Sequence, residues 1–377
     1  MNAVSPLRLV LLADAAHVNI ERWVEGLTTA GADVHVLSFR AAESDLTQAY
    51  QLPHPAMLGK LRYYTAASHV KRLIHEIEPD VVAAYYVTGY GTLGALSEFQ
   101  PLIQVTSGSD VLLPPRNPIL RRQLRRNLSK AALITAWAPH MADAAEQLGA
   151  QRDRIMVLPR GIPCEDFASF RCMVPSNQNG VRIVCTRALK ENYNLDHLVK
   201  AIRIVNDSGP VCTLTMVGDG PYRRTLEALS CSLGLENQVR FAGFVSNDRL
   251  PEVLAEHSLY LSPVGSDGVS ASLLEAMAVG LLPIVPDNAA NRFWITQSRN
   301  GLLLRAVSPE EIAGTIRTGA LDLALRRRAW EENQSLVRRR ADLYENARSF
   351  VEAFRSVVAG CRPSDYPNPR CALAGID

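Results

Sequence analysis

A chain of 377 residues exceeds what one ordinary hydrophobic core accommodates and suits two domains; its 47% apolar and 21% charged residues are those of a typical globular protein. A net charge of +2 argues against bulk nucleic-acid binding, so no nucleic-acid partner is expected and any basic function must be local. Seven cysteines, odd in number and spaced like no zinc site, fit a reducing cytoplasm, and the absence of any apolar run near ~20 residues limits membrane contact to the periphery.

Leu7-Arg-Leu-Val-Leu-Leu-Ala13 reads as a first strand rather than a signal peptide, because Asp14 interrupts it and the apolar run is short. The loop Asp14-Ala-Ala-His-Val-Asn19 leads into a helix over Ile20–Ala30, with Trp23, Val24 and Leu27 at helical spacing and Gly31 as the stop. Further strands are expected near Asp33–Phe39, Asp80–Tyr85, Pro101–Thr106, Ala131–Trp137 and Arg154–Leu158, alternating with helical patterns. Such alternation makes a parallel sheet covered on both faces, with ligands at the carboxyl ends of its strands. Thr106-Ser107-Gly108-Ser109-Asp110 ends in a carboxylate that either bonds its own turn or lines a substrate site. Neither a neighbouring histidine nor a G-x-S-x-G elbow accompanies it. The run from Arg116 to Lys130 holds Arg116, Arg121, Arg122, Arg125, Arg126 and Lys130 without an acid, and Leu120, Leu124 and Leu128 share one face. This basic amphipathic helix is either a solvated outer face or a contact for an anionic acceptor or lipid headgroups.

The polar stretch Pro175-Ser-Asn-Gln-Asn-Gly180 marks the expected linker. Strands then follow over Val181–Thr186, Cys212–Val217, Gln238–Ala242, His257–Ser262 and Leu281–Val285, and a closing helix from Trp330 to about Val358. The expected division is 1–175 and 176–350, with 351–377 the end of the closing helix and a frayed tail. Two doubly wound α/β halves of this kind face each other across a cleft.

Cys185-Thr186-Arg187-Ala188-Leu189-Lys190 places two cations at the carboxyl end of a strand, where they could neutralise a departing diphosphate. No D-x-D pair or His/Cys cluster is found, so no metal or other cofactor is expected. Gly218-Asp219-Gly220-Pro221 is a tight strand-to-helix turn; Arg223 stands where a dinucleotide fingerprint needs its third glycine, which discounts an NAD site.

The most informative stretch is Ser266-Asp267-Gly268-Val269-Ser270-Ala271-Ser272-Leu273-Leu274-Glu275-Ala276-Met277, between a strand-like run and a helix that stops at Gly280. Small residues at a helix start expose backbone N–H groups to an anion, and Asp267 and Glu275 flank them as acceptors for sugar hydroxyls, a layout that suits a sugar nucleotide. The competing reading is local: Ser272-Leu-Leu-Glu275 has the S-x-x-E spacing of a capping box.

Together these pieces resemble the retaining glycosyltransferase family 4, which has the two-domain GT-B fold, from Leu7 to about Phe354. Asp267 to Glu275 is similar to the family's E-x7-E motif, and Ala276-Met277-Ala278-Val279-Gly280 follows as in its usual EAMAxG. Gly218-Asp-Gly-Pro221, Phe241-Ala-Gly-Phe-Val245, Leu158-Pro-Arg-Gly-Ile162, Gly108-Ser-Asp110 and Tyr90-Gly-Thr-Leu-Gly-Ala95 support the likeness. The resemblance implies a metal-independent enzyme using a nucleotide-diphosphate sugar, UDP by family frequency, and a saccharide or lipid-linked acceptor at the cytoplasmic face. It puts Glu275 on the ribose, Val245 beside the base, Arg187 with Lys190 on the diphosphate, and Gly218 in the same nucleotide site. Asp267 and the backbone of Gly268, Val269, Ser270, Ala271 and Ser272 fall on the sugar and phosphate, and Asp110 on the acceptor side. Departures are the shorter Asp267, Asn192 or Tyr193 in place of the family's lysine, Asp14-Ala-Ala-His17 in place of a glycine-rich loop, and Ser107 where a histidine often stands. They leave a sugar-nucleotide epimerase, or a silent sugar-nucleotide-binding protein, as alternatives.

Overall fold

The computed structural model describes residues 5–42, 48–53, 56–170, 180–265 and 268–361. Two compact units emerge, Met1–Gly161 with Leu343–Asp377, and Ile162–Asp342. Each is built on one parallel sheet.

In the first unit the strands are β1 (Leu7–Leu12), β2 (Ala32–Ser38), β3 (Ala49–Gln51), β4 (Val81–Tyr85), β5 (Leu102–Val105), β6 (Leu133–Ala136) and β7 (Ile155–Val157), in the order β3-β2-β1-β4-β5-β6-β7. The second unit has β8 (Val181–Cys185), β9 (Cys212–Val217), β10 (Val239–Gly243), β11 (Leu259–Leu261), β12 (Leu282–Pro286) and β13 (Leu302–Leu304), in the order β10-β9-β8-β11-β12-β13. The near-continuous burial of β1, β4 and β12 is what a strand covered on both faces requires. The order reverses between β1 and β4 in one sheet and between β8 and β11 in the other, and open α/β sheets bind ligands outside the carboxyl ends at such points. These are the Rossmann-like, doubly wound units expected from the alternation of strands and helices. Two strands had no legible pattern: β3 and β13 are each three residues long and sit at sheet edges.

The chain passes between units at Gly161/Ile162, ahead of the expected 175/176 boundary; most of the polar stretch that suggested it, 175–179, lies outside the described residues. The expected single closing helix is two, Leu323–Ala341 and Leu343–Val358. Asp342 breaks them by taking extended backbone (φ −72°, ψ 125°), and it forms a bridge with Ile162. The last helix belongs to the first unit's core, where the Phe350 ring meets Trp23 and Trp137 edge-on at centroid distances of 5.9 and 5.8 Å.

One buried polar group gives the second unit a pH dependence. His257, 5% exposed, faces the Val253 carbonyl with Nδ1 at 2.7 Å and the Thr215 hydroxyl with Nε2 at 2.9 Å. A carbonyl can only accept, so Nδ1 carries the proton and Nε2 accepts from Thr215; the ring is neutral. Burial, with repulsion from Arg182 and Arg240 opposing the help of the Val253 carbonyl, pushes its pKa down to about 4. The unfolded chain protonates this histidine near pH ~6.5, before the folded chain does. Stability is therefore full above that pH and is lost as pH falls toward 4, by on the order of 3 kcal/mol. We expect the melting temperature of the wild type to drop more steeply over this window than that of His257→Gln; parallel curves would contradict this.

Candidate functional site

In the second unit Arg187 lies two residues beyond the end of β8, on one side of the strand-order reversal, and the helix Ala271–Val279 begins on the other side, after β11. The Arg187 guanidinium crosses to the head of that helix, where Nη1 donates to the Ser270 hydroxyl at 3.0 Å and the Ser272 hydroxyl at 3.3 Å. Ser272 is held in turn by the buried Tyr260 hydroxyl at 2.9 Å and by Ser270 at 3.0 Å. Below Arg187 lies Tyr193, its ring centroid 5.0 Å from Arg187 Cζ and 5.7 Å from Lys190 Nζ. Tyr193 thus gathers both cations on one ring. No sequence signal marked it as a platform; it stood out only as an odd residue where the family has a lysine.

The turn Gly218–Gly220 is shaped to this loop. Leu189 N–H donates to Asp219 O at 3.0 Å, and Tyr222 N–H to Leu189 O at 2.9 Å. Gly218 has φ +132°, and a Cβ there would come 2.7 Å from the Arg187 carbonyl. Any side chain would push the Arg187–Lys190 loop away, so Gly218 acts through close approach of backbones. Val245, Val269 and Ala271 are partly buried and pack against one hydrophobic cluster, which brings the Phe241–Val245 segment and the helix start onto a common support.

The helix start rules out the capping-box reading of Glu275. The cap is Ser270, with extended backbone (φ −79°, ψ 109°), and its hydroxyl accepts from Leu273 N–H at 3.3 Å. Leu273 occupies the third helical position, where a capping box needs its acid, so Glu275 lies two residues too far along. Ser272, the residue that suggested a box, is inside the helix and turned to Arg187 and Tyr260. Glu275 is 5% exposed and Gly268 is buried. Asp267, the expected sugar-side acid, lies outside the described residues. Among the described residues no group of three or more His, Cys, Asp or Glu is placed to hold a metal ion.

In the first unit Asp110 is 2% exposed. Its carboxylate accepts N–H bonds from Val87 (2.9 Å), Ser107 (3.0 Å) and Gly108 (2.9 Å), tying the loop after β4 to the loop after β5. Burial pushes its pKa up while these backbone donors oppose the shift. Of its two readings Asp110 takes the local one, bonding its own turn through Ser107 and Gly108, and with Val87 N–H it positions both loops. Tyr86, beside it, takes φ +77°, an uncommon conformation for an aromatic residue, and its hydroxyl meets Ser109 at 2.6 Å.

The basic helix runs Pro118–Ser129, capped by Asn117. Arg116, Arg121, Arg122, Arg125 and Arg126 are exposed, and Leu124 and Leu128 are buried as expected. Two details differ from the periodic reading. Leu120 is 45% exposed, next to Ile119 at 76% and near Leu113 at 65%. Lys130 is half-buried and donates to the Ala95 carbonyl at 2.7 Å, so it leaves the charged face. No described helix is long and apolar enough to cross a membrane.

Residues 171–349 match the profile of "Glycosyl transferases group 1", and residues 8–137 that of "Glycosyl transferase 4-like". The 2-deoxystreptamine glucosyltransferase of Streptomyces kanamyceticus is 28% identical over 174 residues, 44% of this chain and 45% of that protein, so the match spans under half of it. A GDP-mannose-dependent alpha-(1-6)-phosphatidylinositol monomannoside mannosyltransferase of Mycobacterium tuberculosis is 23% identical over 273 residues, 67% of this chain and 69% of that protein. The crystal structure of Anabaena Alr3699/HepE in complex with UDP and glucose superposes with a TM-score of 0.76 at 19% identity, covering 93% of this chain and 100% of that one, a likeness of fold. With two Rossmann-like units and this neighbour the chain has the GT-B fold, and it carries a group 1 glycosyl transferase domain over residues 171–349 and a glycosyl transferase 4-like domain over 8–137.

Proposed function

We propose that this protein is a retaining glycosyltransferase that moves a hexosyl or N-acetylhexosaminyl group from a nucleotide-diphosphate sugar, UDP favoured, to a saccharide or lipid-linked acceptor, without a metal. One observation carries the reading. Arg187, Lys190 and the positive end of the Ala271–Val279 dipole converge at the strand-order reversal of the second unit, an arrangement that favours an anion among them. A diphosphate leaving group is such an anion, and its developing charge is what fixed cations and N–H dipoles stabilise. In this account Glu275 accepts from the ribose hydroxyls, Val245 flanks the base, and Asp267 with the backbone of 268–272 grips the donor sugar. The departing phosphate takes the acceptor's proton on the same face, so the protein supplies position and charge rather than a base of its own.

The Anabaena neighbour, solved with UDP and glucose, supports a UDP-sugar donor. The mycobacterial relative is a phosphatidylinositol monomannoside mannosyltransferase, which supports a lipid-linked acceptor, and its GDP-mannose dependence means that the donor base varies among relatives. Labelled UDP-glucose incubated with the protein and a bacterial lipid and polysaccharide extract should pass its label to an acceptor, at a rate indifferent to EDTA. Loss of transfer with EDTA and recovery with Mg²⁺ or Mn²⁺ would defeat the metal-free account. Conversion to an intact epimerised nucleotide sugar would favour an epimerase, and donor binding without turnover a silent binding protein.

The site of work proposed is the inner face of the cytoplasmic membrane, in surface polysaccharide or glycolipid synthesis. Five exposed arginines beside exposed Leu113, Ile119 and Leu120 fit docking on an anionic leaflet, each cation contributing on the order of 1 kcal/mol near the surface. The variant with Arg121, Arg122, Arg125 and Arg126 all changed to Glu should stop sedimenting with phosphatidylglycerol vesicles while still binding UDP. Wild type that fails to bind such vesicles at low salt would return the helix to an ordinary solvated face.

A further inference from the structure

The first unit carries a cation that the donor chemistry does not use. Phe39 follows β2 directly and is 1% exposed; its N–H donates to the Tyr90 hydroxyl at 3.1 Å. Tyr90 comes from the segment after β4, and Tyr63 completes a ring trio, with centroids 5.3 Å from Phe39 and 5.5 Å from Tyr90. On this trio lies Arg62, its Cζ 5.0 Å from the Phe39 centroid and 5.2 Å from that of Tyr63. Asp14, which follows β1, is paired with Arg40 at 3.3 Å. Asp14, Phe39, Arg40 and Tyr90 follow the carboxyl ends of β1, β2 and β4, on both sides of the strand-order reversal, and Arg62 and Tyr63 reach them from the short helix Arg62–Thr65.

Arg62 makes no ion pair among the described residues, and its one side-chain hydrogen bond is a long one, Nη2 to the Tyr63 hydroxyl at 3.4 Å. Its Nε is buried without an acceptor. With the Phe39 and Tyr63 rings beside it and one N–H orphaned, the guanidinium keeps its Nη edge for a partner, and its charge gains from an oxyanion placed there. The two ring contacts restrain the guanidinium, so that ligand would meet a donor already oriented.

We propose that Arg62 is a specificity-determining residue that binds an anionic oxygen group on the acceptor, a phosphoryl or a carboxylate set near the sugar hydroxyl that is glycosylated. This rests on the reading that the first unit receives the acceptor. Phe39, Tyr63 and Tyr90 position the guanidinium, and a neutral sugar would leave it unpaired, which disfavours neutral acceptors.

The test uses the full chain saturated with UDP and three probes of one skeleton: glucose, glucose 6-phosphate and glucuronic acid, titrated by calorimetry or ligand-observed NMR. At least one acid should bind roughly tenfold or more tightly than glucose, as a charge-assisted pair to guanidinium warrants, and added salt should shrink the difference. Which acid is preferred separates a phosphorylated from a uronate acceptor. Arg62→Met should erase the preference while leaving the melting temperature and UDP affinity as they were; Arg62→Lys should recover part of it. Equal binding of all three, no detectable binding of either acid, or a preference that survives Arg62→Met would overturn the inference. A wild type that does not bind UDP would instead count against the glycosyltransferase reading itself.

Discussion

The contact on which the second unit's site depends is the bond from the Arg187 guanidinium to Ser270 and Ser272 at the head of the Ala271–Val279 helix. A cation at a helix N-terminus opposes the dipole, and this one is tolerated because two hydroxyl oxygens accept its N–H groups and an aromatic ring lies beneath it. The neighbouring geometry serves that contact. Gly218 lacks a side chain so that the Arg187 loop can approach, Tyr260 is buried to hold Ser272, and Ser270 doubles as helix cap and guanidinium partner. The result is a fixed concentration of positive potential, ready for an anion.

Much of this was legible in the sequence because it rests on short-range rules. Buried parallel strands show as apolar runs, so eleven of the thirteen strands among the described residues, all but β3 and β13, were placed, and the chain's two doubly wound halves follow from their alternation with helices. The helix stop at Gly280, which takes φ +92° against Trp330, was marked by residue type alone. What escaped depends on neighbours distant in the chain. The serine that caps could not be chosen between 270 and 272 from spacing; the choice depends on Arg187, a residue from another strand. For Asp110 a bond to its own turn was open from residue type, while its further donor, Val87 N–H, comes from a different loop. The break at Asp342 is tertiary too, set by the bridge to Ile162 and hidden by an unbroken helical pattern around it.

One departure from the family pattern falls at the diphosphate end of the proposed site. Where the family resemblance implies a lysine after the arginine, this chain has Asn192 or Tyr193, and Lys190 Nζ lies 5.7 Å from the Tyr193 ring centroid. In the proposed site Lys190 would stand in for that lysine. An aromatic ring that carries two like charges lowers the cost of bringing them together and fixes their spacing, which a flexible lysine at position 193 would not do.

The central claim is that Arg187 and Lys190, held on Tyr193, bind the diphosphate of a nucleotide. The most direct test is the ratio of UDP affinity to uridine affinity in the wild type, Lys190→Met and Tyr193→Leu proteins, measured by calorimetry at one salt concentration. If the account holds, uridine binding is unchanged in all three, while UDP binding falls roughly tenfold or more in each variant, the scale of a lost charge-assisted contact. UDP affinity that survives both substitutions, or uridine and UDP affinities that fall together, would contradict it.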